Sequence, residues 1–203
     1  KNKKVDKVLY CKYAHRGLHS LGYLDGREGN VPENSLAAFE LACQKGFGIE
    51  LDIQLSRDGV VMVFHDYTLV RMTGCDKKLC ELDADELTKL SLAGTDQKIP
   101  TFEQVLGLID GRVPILVELK GEDLNTDLCK KAADMLSKYK GAYCIESFNP
   151  LLVGNIQKYL PDAFCGCANF LYTHPDFFWR NSAQHDPCAH CKPHPNKWKL
   201  FSM

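Results

Sequence analysis

At 203 residues and a formal charge of −1, from 25 basic and 26 acidic side chains, the chain suits one domain with a sizeable core and carries no global basic field. That balance excludes recruitment of nucleic acid or anionic lipid by net charge, so any affinity for a phosphate must be local. No apolar stretch approaches the roughly 18 residues of a membrane span, and Lys1-Asn2-Lys3-Lys4 leads into alternating charge rather than a signal-peptide core, so the chain reads as soluble and without stable membrane insertion, its cytoplasmic placement resting on the cysteines below.

Val8 to Ala14 is rich in β-formers and ends at His15, which predicts a first strand. Pro32-Glu33-Asn34-Ser35 opens a helix to about Lys45 with Leu36, Phe39 and Cys43 on one stripe, and Gly46 stops it. Gly48 to Leu55 is the second strand, Arg57-Asp58-Gly59 a turn, and Val60 to Phe64 an apolar third strand ending at His65. From residue 66 to 98 the pattern loosens into short polar pieces, with only Asp83 to Leu90 helical behind an Asp83/Glu86 capping box. This segment is expected to be a small insertion beside the mouth of the fold, restricting access to small substrates.

Thr101 to Ile109 is an amphipathic helix with Phe102, Val105, Leu106 and Ile109 on one face, and Val113 to Leu119 is a buried strand delivering Glu118 and Lys120. Helix, strand and helix follow at about 125–139, 142–147 and 149–159. Alternating helices and continuously apolar strands point to a parallel sheet covered by helices, either an α/β barrel or an open α/β sheet. The strand count stops near six. Residues 169–203 crowd His, Pro, Cys and aromatic residues without period, and are expected not to form one continuous ordered segment. A closed barrel has no free sheet edge, so six strands imply that residues are omitted there, the favoured reading, that the tail packs irregularly, or that a second chain closes the opening.

Ten cysteines are many for this length, but Cys11, Cys43, Cys129 and Cys144 fall within apolar patterns where a thiol behaves as a small buried hydrophobe. This favours a reducing compartment over a disulfide framework. Cys188-Ala189-His190-Cys191 offers half a zinc site, with Cys165-Gly166-Cys167 an unusual complement, and a ragged surface tail is the better reading.

Glu50 and Asp52, two apart on one strand, point to one face about 7 Å apart and can converge on a cation. Glu118 and Lys120 repeat that geometry on a later strand. Carboxylates without a His or Cys partner at ligand spacing form a hard oxygen site suited to Mg²⁺ or Ca²⁺. His15 and His65 both fall at strand ends and are candidate proton carriers. Singly, each residue is more often a surface charge or a hydrogen-bonded histidine; the functional reading rests on their co-occurrence.

Ala14-His15-Arg16-Gly17, Pro32-Glu33-Asn34-Ser35 with Ala38-Phe39, Glu50-Leu51-Asp52, Arg57-Asp58-Gly59 with Val63, His65-Asp66, Thr73-Gly74, Glu118-Leu119-Lys120 and Ser147-Phe148 resemble, in order and spacing, the glycerophosphodiester phosphodiesterase family over residues 8 to about 167. The resemblance implies a TIM-type (β/α)8 barrel with a small insertion after the third strand, in a single phosphodiesterase domain over 1–203. It also implies hydrolysis of a small-molecule glycerophosphodiester to glycerol 3-phosphate and an alcohol. It casts His15 and His65 as general acid and base, Glu50, Asp52 and Glu118 as ligands of Mg²⁺ or Ca²⁺, and Arg16 and Lys120 as phosphate clamps.

The implied nucleophile is the substrate's own 2-hydroxyl or a water. The link Leu18 to Val31 is longer than the family's, with Tyr23, Asp25 and Arg27 placed to overhang the site or to form a plain surface loop. Two competing functions are a phospholipase D-like enzyme acting on sphingomyelin or lysophospholipid, and a catalytically inactive barrel acting as a binding protein. Headgroup, oligomeric state and the removal of a leader are open at this level.

Overall fold

The computed structural model describes residues 8, 11–19, 30–121 and 126–168. Residues 169–203, the Cys188/Cys191 zinc half-site expected among them, and Tyr23, Asp25 and Arg27 lie outside these.

The elements run β1 (Tyr13–Ala14), α1 (Leu36–Lys45), β2 (Gly48–Leu55), β3 (Val61–Val63), α2 (Val70–Thr73), a 3₁₀ turn (Leu79–Glu81), α3 (Ala84–Leu87), α4 (Phe102–Ile109), β4 (Ile115–Leu119), α5 (Thr126–Lys138), β5 (Tyr143–Ser147), α6 (Pro150–Tyr159) and β6 (Cys165–Cys167). The helices begin where side chains can satisfy their free N–H groups. Ser35 Oγ accepts from Ala38 N–H at α1, Thr101 Oγ1 from Gln104 N–H at α4, and Asn149 Oδ1 from Leu151 N–H at α6. The capping box read from Asp83 and Glu86 forms, with the Glu86 carboxylate accepting from Asp83 N–H at 3.0 Å. Gly46 ends α1 in the left-handed conformation at φ 73°.

Strands β1, β2, β4, β5 and β6 pair in that order, all parallel. This strand–helix alternation is the α/β architecture of TIM-barrel type. Strand β3 departs from it, running antiparallel to β2 with Ile53 opposite Val63. The cause is local: residues 56–60 make a tight return, with Ser56 N–H bonded to Val60 O, whereas a parallel crossover needs roughly a dozen residues or more. Strand β1 is also shorter than the apolar pattern from Val8 suggests. Its ladder starts at Tyr13 because β2, its partner, begins only at Gly48.

Side-chain parity divides the sheet. Ile49, Leu51, Ile53, Ile115, Val117, Leu119 and Ile145 join Phe39 and Phe102 in the principal core, packed against α1, α4, α5 and α6. Full burial of a phenylalanine such as these contributes about 1.5–3 kcal/mol. The alternate residues turn away from those helices. Tyr13, Leu116 and Cys144 form a small apolar floor there, and Glu50, Asp52, Glu118 and Glu146, all buried, stand along the same strands. A second cluster over residues 62–99, including Leu69, Met72, Leu79, Leu87 and Ile99, gives the segment carrying α2 and α3 a core of its own. Cys129 and Cys144 are buried free thiols.

Candidate active site

The site is assembled at the carboxyl ends of β1, β2, β3 and β4. After Ala14 the chain turns sharply. Arg16 adopts a left-handed backbone (φ 56°), and Gly17 (φ 80°) packs so closely that a Cβ there would lie 2.8 Å from the Ala38 Cβ. Asn34 is also left-handed (φ 52°) and donates its N–H to Arg16 O at 2.9 Å. Two non-glycine residues in this conformation at one point are backbone strain held by the surrounding contacts. The result aims the Arg16 N–H at Glu50 Oε2, 2.8 Å away, and the Asn34 amide at Asp52 Oδ2, 2.9 Å away.

Glu50 and Asp52 share one face of β2, and Glu118 is the register partner of Asp52 on β4. One carboxylate oxygen from each of the three lies within 4.8 Å of the others. Lys120 Nζ sits 2.6 Å from Glu118 Oε1 and 3.1 Å from Asp52 Oδ1, and Arg16 Nε 3.6 Å from Asp52 Oδ2. Asp52 is therefore held ionised, well below the usual carboxylate range, with Lys120 the largest of the charges opposing its burial. Burial and the Asp52 charge push Glu118 up to about 7 in spite of Lys120, and Glu50 is raised by burial and by Asp52 and Glu118.

Glu50 Oε1 has no hydrogen-bond partner. Three buried carboxylates, with Glu50 Oε1 unpartnered and Asp52 Oδ1 met only by the Lys120 ion pair, suit a hard divalent cation.

His15 follows β1 with Nε2 3.8 Å from Glu50 Oε2, and burial together with the Arg16 charge lowers its imidazole to about 4. His65 follows β3, its Nδ1 2.7 Å from Asp66 Oδ1. A carboxylate only accepts, so Nδ1 carries the proton and Nε2 is left to act. A cavity of about 720 Å³ is lined by His65, Asp66, Glu118, Lys120, Ser147 and Phe148, among others. Lys120 stands over the Phe148 ring at 5.9 Å. His15, Arg16, Glu50 and Asp52 connect to that wall through the Asp52–Lys120 and Arg16–Asp52 pairs.

Four further residues take part. Glu33 pairs with Arg16 at 3.0 Å, Arg71 reaches both Glu33 and Asp66, Asn34 holds Asp52, and Glu146 is the buried register partner of Glu118. Glu33 and Asn34 read in sequence as a helix start, which they also are. Glu146 could have been found by parity, since it falls on the inward phase of β5. Arg71 lies in a loosely patterned polar segment and gave no signal.

A family model described as the glycerophosphoryl diester phosphodiesterase family matches residues 25–162. A glycerophosphodiester phosphodiesterase of Caldanaerobacter subterraneus is 34% identical over 148 residues, 67% of this chain and 60% of that protein. Glycerophosphodiester phosphodiesterase 1 of Homo sapiens is 33% identical over 123 residues, 56% and 35% of the two chains. Among solved structures, an Oleispira antarctica phosphodiesterase in complex with the product sn-glycerol-3-phosphate superposes with a TM-score of 0.67 at 28% identity, covering 76% of this chain and 64% of that one. A Thermotoga maritima glycerophosphodiester phosphodiesterase gives 0.61 at 30%, covering 78% and 62%. The chain spans about half the length of the curated relatives it matches.

Proposed function

The chain belongs to the glycerophosphoryl diester phosphodiesterase family, and from that premise we propose that it hydrolyses glycerophosphodiesters to glycerol 3-phosphate and an alcohol. The observation that carries this reading is the co-location of His65, Glu118 and Lys120 on one cavity wall, with Asp52, Arg16, Glu50 and His15 linked directly behind it.

In this reading Arg16 and Lys120 bind the phosphate and offset the charge that builds as a new P–O bond forms and the bond to the alcohol breaks. Of the two imidazoles, one accepts the proton of the attacking hydroxyl and the other donates a proton to the leaving alkoxide; attack by water gives glycerol 3-phosphate directly, whereas attack by the substrate's 2-hydroxyl gives a cyclic phosphate that a water then opens to glycerol 3-phosphate. Asp66 fixes the His65 ring in a single tautomer. Glu50, Asp52 and Glu118 would hold a divalent cation, Mg²⁺ or Ca²⁺, which when bound supplies Lewis-acid polarisation of the phosphoryl oxygen.

The proposal extends to organisation: one phosphodiesterase domain, with residues 66–98 an insertion on its own small core whose Tyr67 and Thr68 form part of the cavity wall. Among the described residues no helix is long and apolar enough to cross a membrane. A cytoplasmic setting is supported by the buried free thiols of Cys129 and Cys144. The test is release of glycerol 3-phosphate from glycerophosphocholine with and without EDTA. Release that EDTA abolishes is expected, and no release with either Mg²⁺ or Ca²⁺ present overturns the reading.

A further inference from the structure

Arg71 lies outside every motif read from the sequence, yet its guanidinium hydrogen-bonds two carboxylates beside the site. It sits on α2, whose Met72 and preceding Leu69 are buried in the second core, so its backbone is anchored. One edge of the guanidinium clasps Asp66, Nε to Oδ2 at 2.6 Å and Nη2 to Oδ1 at 3.1 Å. It also clasps Glu33, Nη2 to Oε1 at 2.6 Å and Nη1 to Oε2 at 3.2 Å. Each carboxylate holds one functional group: Asp66 accepts from His65 Nδ1 at 2.7 Å, and Glu33 pairs with Arg16 Nη1 at 3.0 Å.

The chain of contacts is therefore His65, Asp66, Arg71, Glu33, Arg16, closing the gap between the ends of β3 and β1. A surface ion pair usually contributes little, because a single contact orders two mobile side chains in water. Here the carboxylates are the better buried partners, with Glu33 and Asp66 side chains 11% and 21% exposed against 46% for Arg71. Both carboxylates are held below their usual range, with hydrogen bonds from Arg71 among the leading causes.

We infer that Arg71 is a positioning residue, its one guanidinium fixing both the imidazole of His65 and the guanidinium of Arg16 through Asp66 and Glu33. This rests on the phosphodiesterase reading for its effect on turnover. The role requires a planar fork with several donors; a lysine ammonium is a point charge and cannot clasp two carboxylates bidentately.

The experiment compares Arg71→Ala and Arg71→Lys with wild type and with Arg57→Ala, which removes an ion pair to Asp83 and Glu86, neither of which lines the cavity. Arg71→Ala is expected to lower kcat on glycerophosphocholine about 10–100-fold, the usual cost of losing a group that orients a functional residue, with a smaller change in KM. Its melting temperature should fall no further than that of Arg57→Ala. Added guanidinium should restore part of the lost turnover. Arg71→Lys should fold and remain impaired, which decides the matter if the alanine variant does not fold.

A second readout needs no turnover. Imidazole ¹⁵N spectra at alkaline pH should show His65 as one Nδ1–H tautomer in wild type and as a mixture in Arg71→Lys. Wild-type turnover in Arg71→Lys, an Arg71→Ala loss that guanidinium leaves untouched, or an unchanged His65 tautomer would overturn the inference. A wild-type protein inert on glycerophosphocholine counts against the phosphodiesterase reading instead, and the tautomer measurement still judges Arg71.

Discussion

Asp52 and Glu118 are register partners on neighbouring parallel strands, and the Lys120 ammonium bridges their carboxylates at 3.1 and 2.6 Å. Lys120 thus neutralises one half of the acidic cluster from within. Among the described residues no ammonium or guanidinium bridges Glu50 in this way: its Oε2 accepts the Arg16 backbone N–H and lies 3.8 Å from His15 Nε2, its Oε1 is orphaned, and burial and its neighbours raise its protonation range. The arrangement is costly for an apo protein and fits one that gains a cation with its substrate.

Glu50→Gln should therefore separate stability from activity. The amide keeps an oxygen for the Arg16 N–H and loses the buried charge, so metal-free protein should melt roughly 2–4 °C higher, about 1 kcal/mol for a chain of this size. Turnover with Mg²⁺ or Ca²⁺ present should drop at least about 10²-fold, since several kcal/mol of charge stabilisation would go with the proposed cation ligand. Calorimetry and a phosphodiesterase assay on one preparation check both halves; a lower melting temperature with activity retained would contradict the account.

His15→Ala and His65→Ala should each lower turnover at least about 10²-fold, the usual contribution of a proton carrier. Both rings lie at strand ends and are 30% exposed, so neither loss should unfold the protein. Near-normal kcat in either variant, with circular dichroism unchanged, would remove that histidine from the mechanism.

Gly17→Ala tests the strained turn that presents Arg16. The added methyl meets the Ala38 Cβ at 2.8 Å and Phe39 Cδ1 at 2.9 Å, on a backbone at φ +80° that side chains rarely adopt. A destabilisation of about 1–3 kcal/mol is expected in urea titrations. Stability equal to wild type would mean that the turn relaxes freely and stores no strain.

Much of this was legible in the sequence because it is periodic. Helix starts at Ser35 and Thr101, and the inward phase of Glu50, Asp52 and Glu118, follow from spacings of 3.6 and 2 residues. The antiparallel course of β3 was hidden, because an unbroken apolar run such as Val61 to Phe64 looks alike in either direction; only the short turn before it carries the information. The Arg71 network was hidden for a different reason. Its partners are 38 residues before it and 5 residues before it, distances that no local periodicity links.

That network also makes an acid-stability prediction. Glu33 and Asp66 have folded values below their unfolded ones, so their stabilisation is present above the unfolded range near pH 4 and is lost as pH falls through the folded values. Over that interval the unfolded chain binds more protons than the folded one, so stability should fall with acidification. Arg71→Met removes the partner and should flatten this limb of a pH-dependent urea titration. Parallel wild-type and variant curves below pH 4 would show that Arg71 does not hold these carboxylates ionised.

Residues 66–98, the proposed insertion, should set substrate size. Tyr67 and Thr68 line one part of the 720 Å³ cavity, Phe148 and Pro150 another, and Tyr67 and Phe148 are each 45% exposed at its mouth. Pockets of about 300–1,000 Å³ enclose small molecules, and a glycerophosphodiester fits that range whereas a diacyl lipid does not. The helix carrying Arg71 is fixed to the second core by Leu69 and Met72 and tied to Glu33 outside the segment, so this wall cannot swing aside without breaking the Arg71–Glu33 contacts. Glycerophosphocholine should therefore be cleaved and long-chain phosphatidylcholine in vesicles left intact. Tyr67→Ala should shift the ratio toward lysophospholipid by opening the mouth while leaving the His65, Glu118 and Lys120 wall in place. Efficient vesicle hydrolysis by the wild type, with glycerophosphocholine untouched, would refute the role of residues 66–98 as a size filter and favour a lipid-directed enzyme.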